Sequence, residues 1–132
     1  MALVCVLGAY AAQRALLKVI ANPSVSISSV SADELKNVFL VTKTSLSNGS
    51  HVEPVLEKGG PVHEAFVKKY LGKTDAALQT YYRSLVFTGK ASMPKTLGAD
   101  TQIVAYVAKT KGAIGYVSAG ASTAGVKTLE VK

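Results

Sequence analysis

Hydrophobic residues recur at helical spacing between residues 58 and 72, the segment around which the rest of the chain is organised. Val62, Phe66 and Tyr70 are spaced four residues apart and share one face, which indicates a helix that docks on a core. Pro61 occupies a favourable first helical position, and the glycine that ends the segment permits a left-handed exit. We therefore predict a helix that begins at Pro61 and ends at this glycine.

Helical and strand-like patterns alternate along the remaining chain. A capping box of Ser31 and Glu34 precedes one predicted helix, Thr74 caps another, and Asp100 is expected to cap a third. Buried strands are predicted within 16–21, 52–56, 113–117 and 126–131, whereas 24–30 and 89–98 have the composition of loops. Because strands and helices interleave, this order predicts an α/β layer with a mixed sheet.

The beginning of the chain is apolar and carries no charge from residue 2 to residue 12. This segment is too short to span a bilayer, so no stable membrane insertion is expected. It matches the hydrophobic region of a secretory signal, with Ala9-Tyr10-Ala11 as a cleavage pattern, although the basic region in front is missing. The alternatives are a truncated signal and a buried first strand. We favour the signal, which divides the chain into residues 1–15 and a domain over 16–132 and predicts a periplasmic or secreted protein.

The balance of charges favours anionic partners. Fifteen Lys and Arg against eight Asp and Glu give a net charge of +7, on a chain whose 132 residues are enough for one domain with its own core. The basic residues are scattered and include only two arginines, so a nucleic-acid partner is not expected. The single cysteine excludes an internal disulfide.

The start of the central helix is the candidate binding site. Two glycines in front of Pro61 let backbone approach a ligand closely, and the first free N–H groups of a helix form the positive end of its dipole. We therefore predict that Gly59, Gly60, Val62 and His63 bind a small anion. The alternative is a tight turn that leads into a surface helix.

Motifs for catalysis or metal binding are incomplete. Gly72-Lys73-Thr74 lacks the earlier glycine of a phosphate loop, and Ser92-Met93-Pro94-Lys95 has a proline where a penicillin-recognising enzyme needs a helix. His63-Glu64 is not followed by a second histidine at ligand spacing. We expect no catalytic residues, no metal and no cofactor, and therefore not an enzyme.

Four segments along the chain form a recognisable set when they are taken in order. They are 19–24 (VIANPS), 31–40 (SADELKNVFL), 61–66 (PVHEAF) and 112–117 (GAIGYV). The Phe87-Thr88-Gly89-Lys90 motif, followed by Met93-Pro94, lies between the third and fourth segments. In this order the segments resemble one family, the phosphate-type substrate-binding proteins of ABC transporters, which have the type 2 periplasmic-binding-protein fold. The resemblance covers roughly residues 17–131.

The resemblance implies a three-layer αβα single lobe with a mixed sheet that binds phosphate or another small oxyanion and has an ABC permease or an envelope protein as partner. Relatives usually have glycine where Val41 stands and tryptophan where Leu46 stands, so we expect the loop after the first helix to differ in shape. Phosphate binders carry a Ser-Gly-Thr type sequence where this chain has Gly59-Gly60-Pro61, which keeps the backbone and loses the hydroxyls. The alternative function is a non-enzymatic envelope interaction or structural module that has lost ligand binding.

Overall fold

The computed structural model describes residues 17–46 and 48–132. The predicted signal segment, 1–15, lies outside the described residues. Six strands form one mixed sheet in the order β2-β6-β1-β5-β3-β4. β1 is antiparallel to both of its neighbours, whereas β3 is parallel to β4 and β5. The strands are β1 (Leu17–Ala21), β2 (Ser29–Val30), β3 (Glu53–Glu57), β4 (Lys95–Leu97), β5 (Ala113–Ser118) and β6 (Lys127–Val131).

The helices cover both faces of this sheet. α1 spans Ala32–Phe39, α3 spans Asp75–Phe87 and α4 spans Asp100–Lys109. α2 spans Pro61–Phe66 and continues as a π-helical turn over Val67–Leu71, which ends at Gly72 with φ 64°. The predicted bounds of this central helix are therefore confirmed, whereas the π-helical turn is not visible in the sequence pattern.

Alternation along the strands divides the core into two layers. Val19, Leu56 and Tyr116 face the larger cluster, which α1, α2 and α3 cover, whereas Ile20 and Val55 face the smaller cluster under α4. Successive side chains of a strand point to opposite faces of a sheet, so strands buried on both sides read as continuous apolar runs. The result is the α/β architecture with a mixed sheet that the element order predicts, in the three layers that the family resemblance implies.

The helix caps test the local predictions. The Oγ of Ser31 accepts a hydrogen bond from the Glu34 N–H at 3.1 Å, and Thr74 caps α3 in the same way, so both predicted caps are confirmed. The prediction for Asp100 is wrong, since Ala99 is the N-cap and Asp100 is already helical. Its carboxylate instead accepts hydrogen bonds from Ser118. The two predicted loops also contain the short strands β2 and β4.

Val41 ends α1 in a conformation that glycine favours. Its φ is 59°, and the N–H groups of Val41 and Thr42 donate to the carbonyls of Val38 and Asn37 at 3.1 and 3.0 Å. These two bonds form a Schellman motif, whose left-handed residue is usually glycine. The loop therefore keeps the backbone turn expected of a glycine, with a β-branched residue in a strained position.

Candidate functional site

One edge of the sheet collects the features that a binding site needs. β3, β4 and β5 are parallel, so their carboxyl ends, at Glu57, Leu97 and Ser118, lie along the same edge. α2 and α4 begin shortly after β3 and β4. In α/β sheets, ligands bind outside the carboxyl ends of the strands, next to the helices that start there. We call this region the carboxyl edge.

The backbone before α2 is open to solvent. Gly60 is the N-cap with φ 97° and ψ 175°, and no side chain caps the helix. The first helical hydrogen bond runs from the Glu64 N–H to the Gly60 carbonyl at 3.0 Å. A Cβ at Gly59 or at Gly60 would meet no atom within 4 Å, so a small ligand has room to approach this backbone. The free N–H groups of the first helical turn make this terminus electropositive.

The four predicted ligand residues differ in their exposure. Gly59 and Gly60 are exposed, and Val62 is half-buried with its side chain against the larger core cluster. His63 is only 1% exposed, so its imidazole lies within the protein. Gly59, Gly60 and Val62 lie at the carboxyl edge, whereas His63 is almost wholly buried and contributes little to that surface.

The His63 ring completes a hydrogen-bonded chain beneath the edge. Nε2 lies 2.7 Å from Oδ1 of Asp75, and Nδ1 contacts the hydroxyl of Tyr116. That hydroxyl accepts the Glu57 N–H at 3.1 Å. The hydroxyl therefore donates its proton to Nδ1, and the proton on Nε2 is donated to Asp75. The hydrogen bond from His63 lowers the pKa of Asp75, while burial lessens the effect. We call Asp75, His63, Tyr116 and the Glu57 N–H the histidine chain.

The rings around this chain are packed as core. Tyr116 and Phe66 stack with centroids 3.9 Å apart, and Phe39 packs edge-on to Phe66 at 4.8 Å. Burial raises the pKa of Tyr116. The tyrosine hydroxyl is thus held as a neutral donor inside the protein and cannot meet a ligand.

A second polar group lies at the carboxyl edge on the opposite face of the sheet. Glu57 is 7% exposed, and burial, together with a hydrogen bond to Asp100 and that residue's charge, raises the pKa of its carboxyl group to about 8. The hydrogen bond from Glu57, and those from Ser118, lower the pKa of Asp100, where the charge of Lys18 adds to the effect. Oε2 of Glu57 is buried without a hydrogen-bond partner among the described residues. We call Glu57 and Asp100 the carboxyl pair.

At neutral pH, Glu57 is the neutral member of the carboxyl pair and Asp100 is the charged one. Because its pKa lies near 8, Glu57 is mostly protonated and donates to the Asp100 carboxylate. Two adjacent carboxyl groups in a poorly solvated place share one proton in this way. The negative charge at this edge is therefore smaller than the two acidic residues suggest, which favours the approach of an anion.

Two features are absent from the part of the chain that the structure describes. Within residues 17–46 and 48–132, no three metal-ligating side chains come close enough to hold an ion. None of the helices in these ranges combines the length and apolarity that crossing a bilayer requires.

Solved structures resemble this chain, whereas the sequence matches no protein-family model and no curated protein. A putative phosphate ABC transporter substrate-binding protein from Clostridium perfringens, solved with bound phosphate, matches with a TM-score of 0.68 and 15% identity over 88% of this chain and 44% of its own. PstS from Borrelia burgdorferi matches with a TM-score of 0.67 and 12% identity, over 89% and 47%. An ABC-type phosphate transport receptor from Vibrio cholerae matches with a TM-score of 0.58 and 12% identity, over 88% and 46%.

The fold is that of phosphate-type substrate-binding proteins. This chain spans less than half the length of each of these structures, as a single-lobe relative would. Two of these neighbours are named as phosphate transport proteins, and none of the three is named as an enzyme.

Sequence reasoning missed both buried polar groups of the edge. The sequence prediction for His63 concerns its N–H, whereas the partners of its side chain stand 12 and 53 residues away. Glu57 lies just beyond the predicted strand over 52–56 and carries no prediction, and Asp100 is predicted only as a helix cap. A histidine and a glutamate within seven residues at a strand-to-helix junction is a weak signal, since such residues are usually solvated.

Proposed function

We propose that this chain is a non-enzymatic, phosphate-type substrate-binding-like protein that binds a small oxyanion at Gly59, Gly60, Val62 and His63. The observation that carries the proposal is the uncapped helix start at Gly60, placed at the carboxyl edge of a fold shared with a protein solved with bound phosphate. Backbone N–H groups at such a place bind anions without any side chain.

Binding by this site is expected to be weak. Ser-Gly-Thr hydroxyls are replaced by glycine and proline, and a single lobe leaves the ligand in contact with solvent. Solvent screens the helix dipole, which contributes about 0.3–2 kcal/mol. We expect a dissociation constant around 1 mM, equivalent to about 4 kcal/mol. The lost hydroxyls leave the choice between phosphate and sulfate to the backbone, so both anions belong in the test.

Amide NMR titration with phosphate and with sulfate tests the site directly. The parent should show saturable shifts at the amides of Gly59, Gly60, Val62 and His63. The test substitution is made at Gly59 and not at Gly60, because the φ and ψ of Gly60 lie in a region that only glycine adopts readily. Gly59→Asp should abolish the shifts by placing a negative charge where the anion binds.

Asn48→Asp is the matched control for Gly59→Asp. It adds the same charge in the turn before β3, at the opposite end of that strand, and its Oδ1 can still accept the Ser50 N–H. The control should titrate like the parent. If the parent shows no saturable shift at the four amides, the proposal fails.

The second candidate function is an envelope interaction or structural module. The observation in its favour is the side-chain-free site, since the three residues Gly59-Gly60-Pro61 supply no hydroxyl to an anion. A parent that folds normally and binds neither anion would favour this second function over the first.

Export and a transport partner also belong to the proposal. The apolar, uncharged residues 2–12 support a periplasmic or secreted location, where an ABC permease or an envelope protein would be the partner. Mass spectrometry of the protein from its native host should find the first residues removed. An intact Met1 in a cytoplasmic fraction would contradict export.

A further inference from the structure

The most exposed large apolar side chains of the described residues belong to the last turn of α3 and to the loop that follows it. Phe87 is 93% exposed, and Val86 and Met93 are 45% and 47% exposed. The turn after the helix folds back on it, since the N–H of Lys90 donates to the carbonyl of Leu85 at 2.9 Å. Phe87 therefore stands at a protruding tip, where its ring lacks cover from its own chain.

Positive charge surrounds this tip. Arg83 precedes Val86 and Phe87 by three and four residues, so the three side chains share one face of α3, and Lys90 follows in the turn. The sequence from Ala76 to Ala99 contains three basic residues and no Asp or Glu. We call Arg83, Val86, Phe87, Lys90 and Met93 the apolar-basic surface.

The nearby edge strand adds little negative charge to this surface. Lys95, the third basic residue, lies over the ring of Tyr106 at 5.4 Å. The Tyr106 hydroxyl donates to Oε2 of Glu53 at 2.5 Å, which ties that carboxylate to the side of α4. The charged members of the apolar-basic surface itself, Arg83 and Lys90, are both positive.

We propose that the apolar-basic surface binds the surface of a membrane that contains anionic lipids. Exposed aromatic and methionine side chains beside Lys and Arg are suited to the boundary between headgroups and acyl chains. An anionic bilayer is complementary in charge and needs no shaped pocket to receive a protruding ring. An acidic protein would also match the charge, but an aromatic anchor of a protein interface normally needs a matching pocket on the partner. This inference does not depend on the oxyanion site.

Vesicle sedimentation with the full chain tests the proposal. The parent should pellet with vesicles of phosphatidylcholine mixed with phosphatidylglycerol, remain in solution with pure phosphatidylcholine, and be released by added salt. Phe87→Gln should weaken binding to the anionic vesicles about ten-fold, since a buried phenyl ring contributes strongly to transfer. Because Phe87 is so exposed, this variant should melt like the parent.

A charge-matched pair separates a local surface from the overall charge of +7. Lys90→Gln should weaken binding about five-fold, in keeping with one basic residue near an anionic surface. Lys132→Gln removes the same charge after β6, at the other side of the sheet from β4, and should change binding less than two-fold. Equal effects of the two lysine variants, or unchanged binding of Phe87→Gln, would overturn the proposal. A parent that does not pellet with anionic vesicles would also overturn it and would leave the surface to an acidic protein.

Discussion

The histidine chain and the carboxyl pair lie at the same edge of the sheet, on opposite faces, and solve the burial of polar groups differently. In the histidine chain both ring nitrogens and the tyrosine hydroxyl have partners. In the carboxyl pair, Oε2 of Glu57 has no partner among the described residues, and the pKa of this carboxyl rises to about 8. A fully hydrogen-bonded polar network stabilises the fold through its partners, whereas a buried carboxyl group with a strongly raised pKa makes stability depend strongly on pH.

The largest expected effect is the pH dependence that Glu57 gives to the parent. Its pKa in the folded protein, about 8, is above the ordinary value of 4.5, so between these values the folded state binds more protons than the unfolded state. The stabilising contribution of Glu57 is therefore fully present below pH 4.5. It falls as the pH rises and is lost above pH 8. The difference of 3.5 pH units corresponds to at most about 5 kcal/mol.

Glu57→Gln should remove this slope, because an amide stays neutral and can still donate to Asp100. Urea unfolding at several values between pH 5 and 9 measures it, and the difference between variant and parent isolates Glu57 from other titrating groups. Glu53→Gln is the control, since it makes the same change on the same strand and should keep the parent's slope. Parallel curves for the parent and Glu57→Gln would show that the carboxyl pair is solvated in solution.

The second-largest expected effect is that of removing the His63 ring from the fully hydrogen-bonded histidine chain. His63→Ala leaves the Tyr116 hydroxyl without its acceptor and opens a cavity beside the Tyr116 ring, so we expect a loss of about 3 kcal/mol in the free energy of unfolding. His51→Ala is the control, because His51 is exposed and should change stability by less than about 0.5 kcal/mol. If both variants unfold at the same urea concentration as the parent, the histidine chain does not stabilise the fold.

The sequence predicted most of the fold because its signals were local. Pro61 and Gly72 bound the central helix as expected, and the hydroxyls of Ser31 and Thr74 cap their helices. These features depend on residues within a few positions of each other, where spacing is a sufficient guide. The strand β4 was missed because its three residues are mostly exposed and carry little apolar pattern.

The candidate site was predictable only in its backbone. Glycines before a proline indicate an open helix start, but the pairing of Glu57 with Asp100 depends on where α4 lands against the sheet. The turn at Val41 was likewise not predictable from the sequence. A glycine at this position would have indicated a left-handed conformation, whereas valine does not, so the conformation is known only from the φ of Val41 and the hydrogen bonds to Asn37 and Val38.

The smallest expected effect concerns the solvent-facing end of the histidine chain. The Asp75 side chain is 41% exposed, so its bond to His63 is partly screened. Asp75→Asn retains an oxygen that accepts the Nε2 proton and should cost less than about 1 kcal/mol at pH 7. Because the pKa of Asp75 is lowered, mainly by the hydrogen bond from His63, its contribution is present above pH 3.8 and is lost as the pH falls through the lowered value.

Asp33→Asn is the matched control for Asp75→Asn, because Asp33 also lies in the first turn of a helix and its loss removes a similar interaction with the helix dipole. The difference between the two variants, measured by urea unfolding at pH 7 and below pH 4, isolates the hydrogen bond to His63. We expect Asp75→Asn to be the more destabilised at pH 7 and the difference to shrink in acid. If the two variants have equal free energies of unfolding at both pH values, Asp75 acts only through the helix dipole. Its hydrogen bond to His63 then does not contribute to stability.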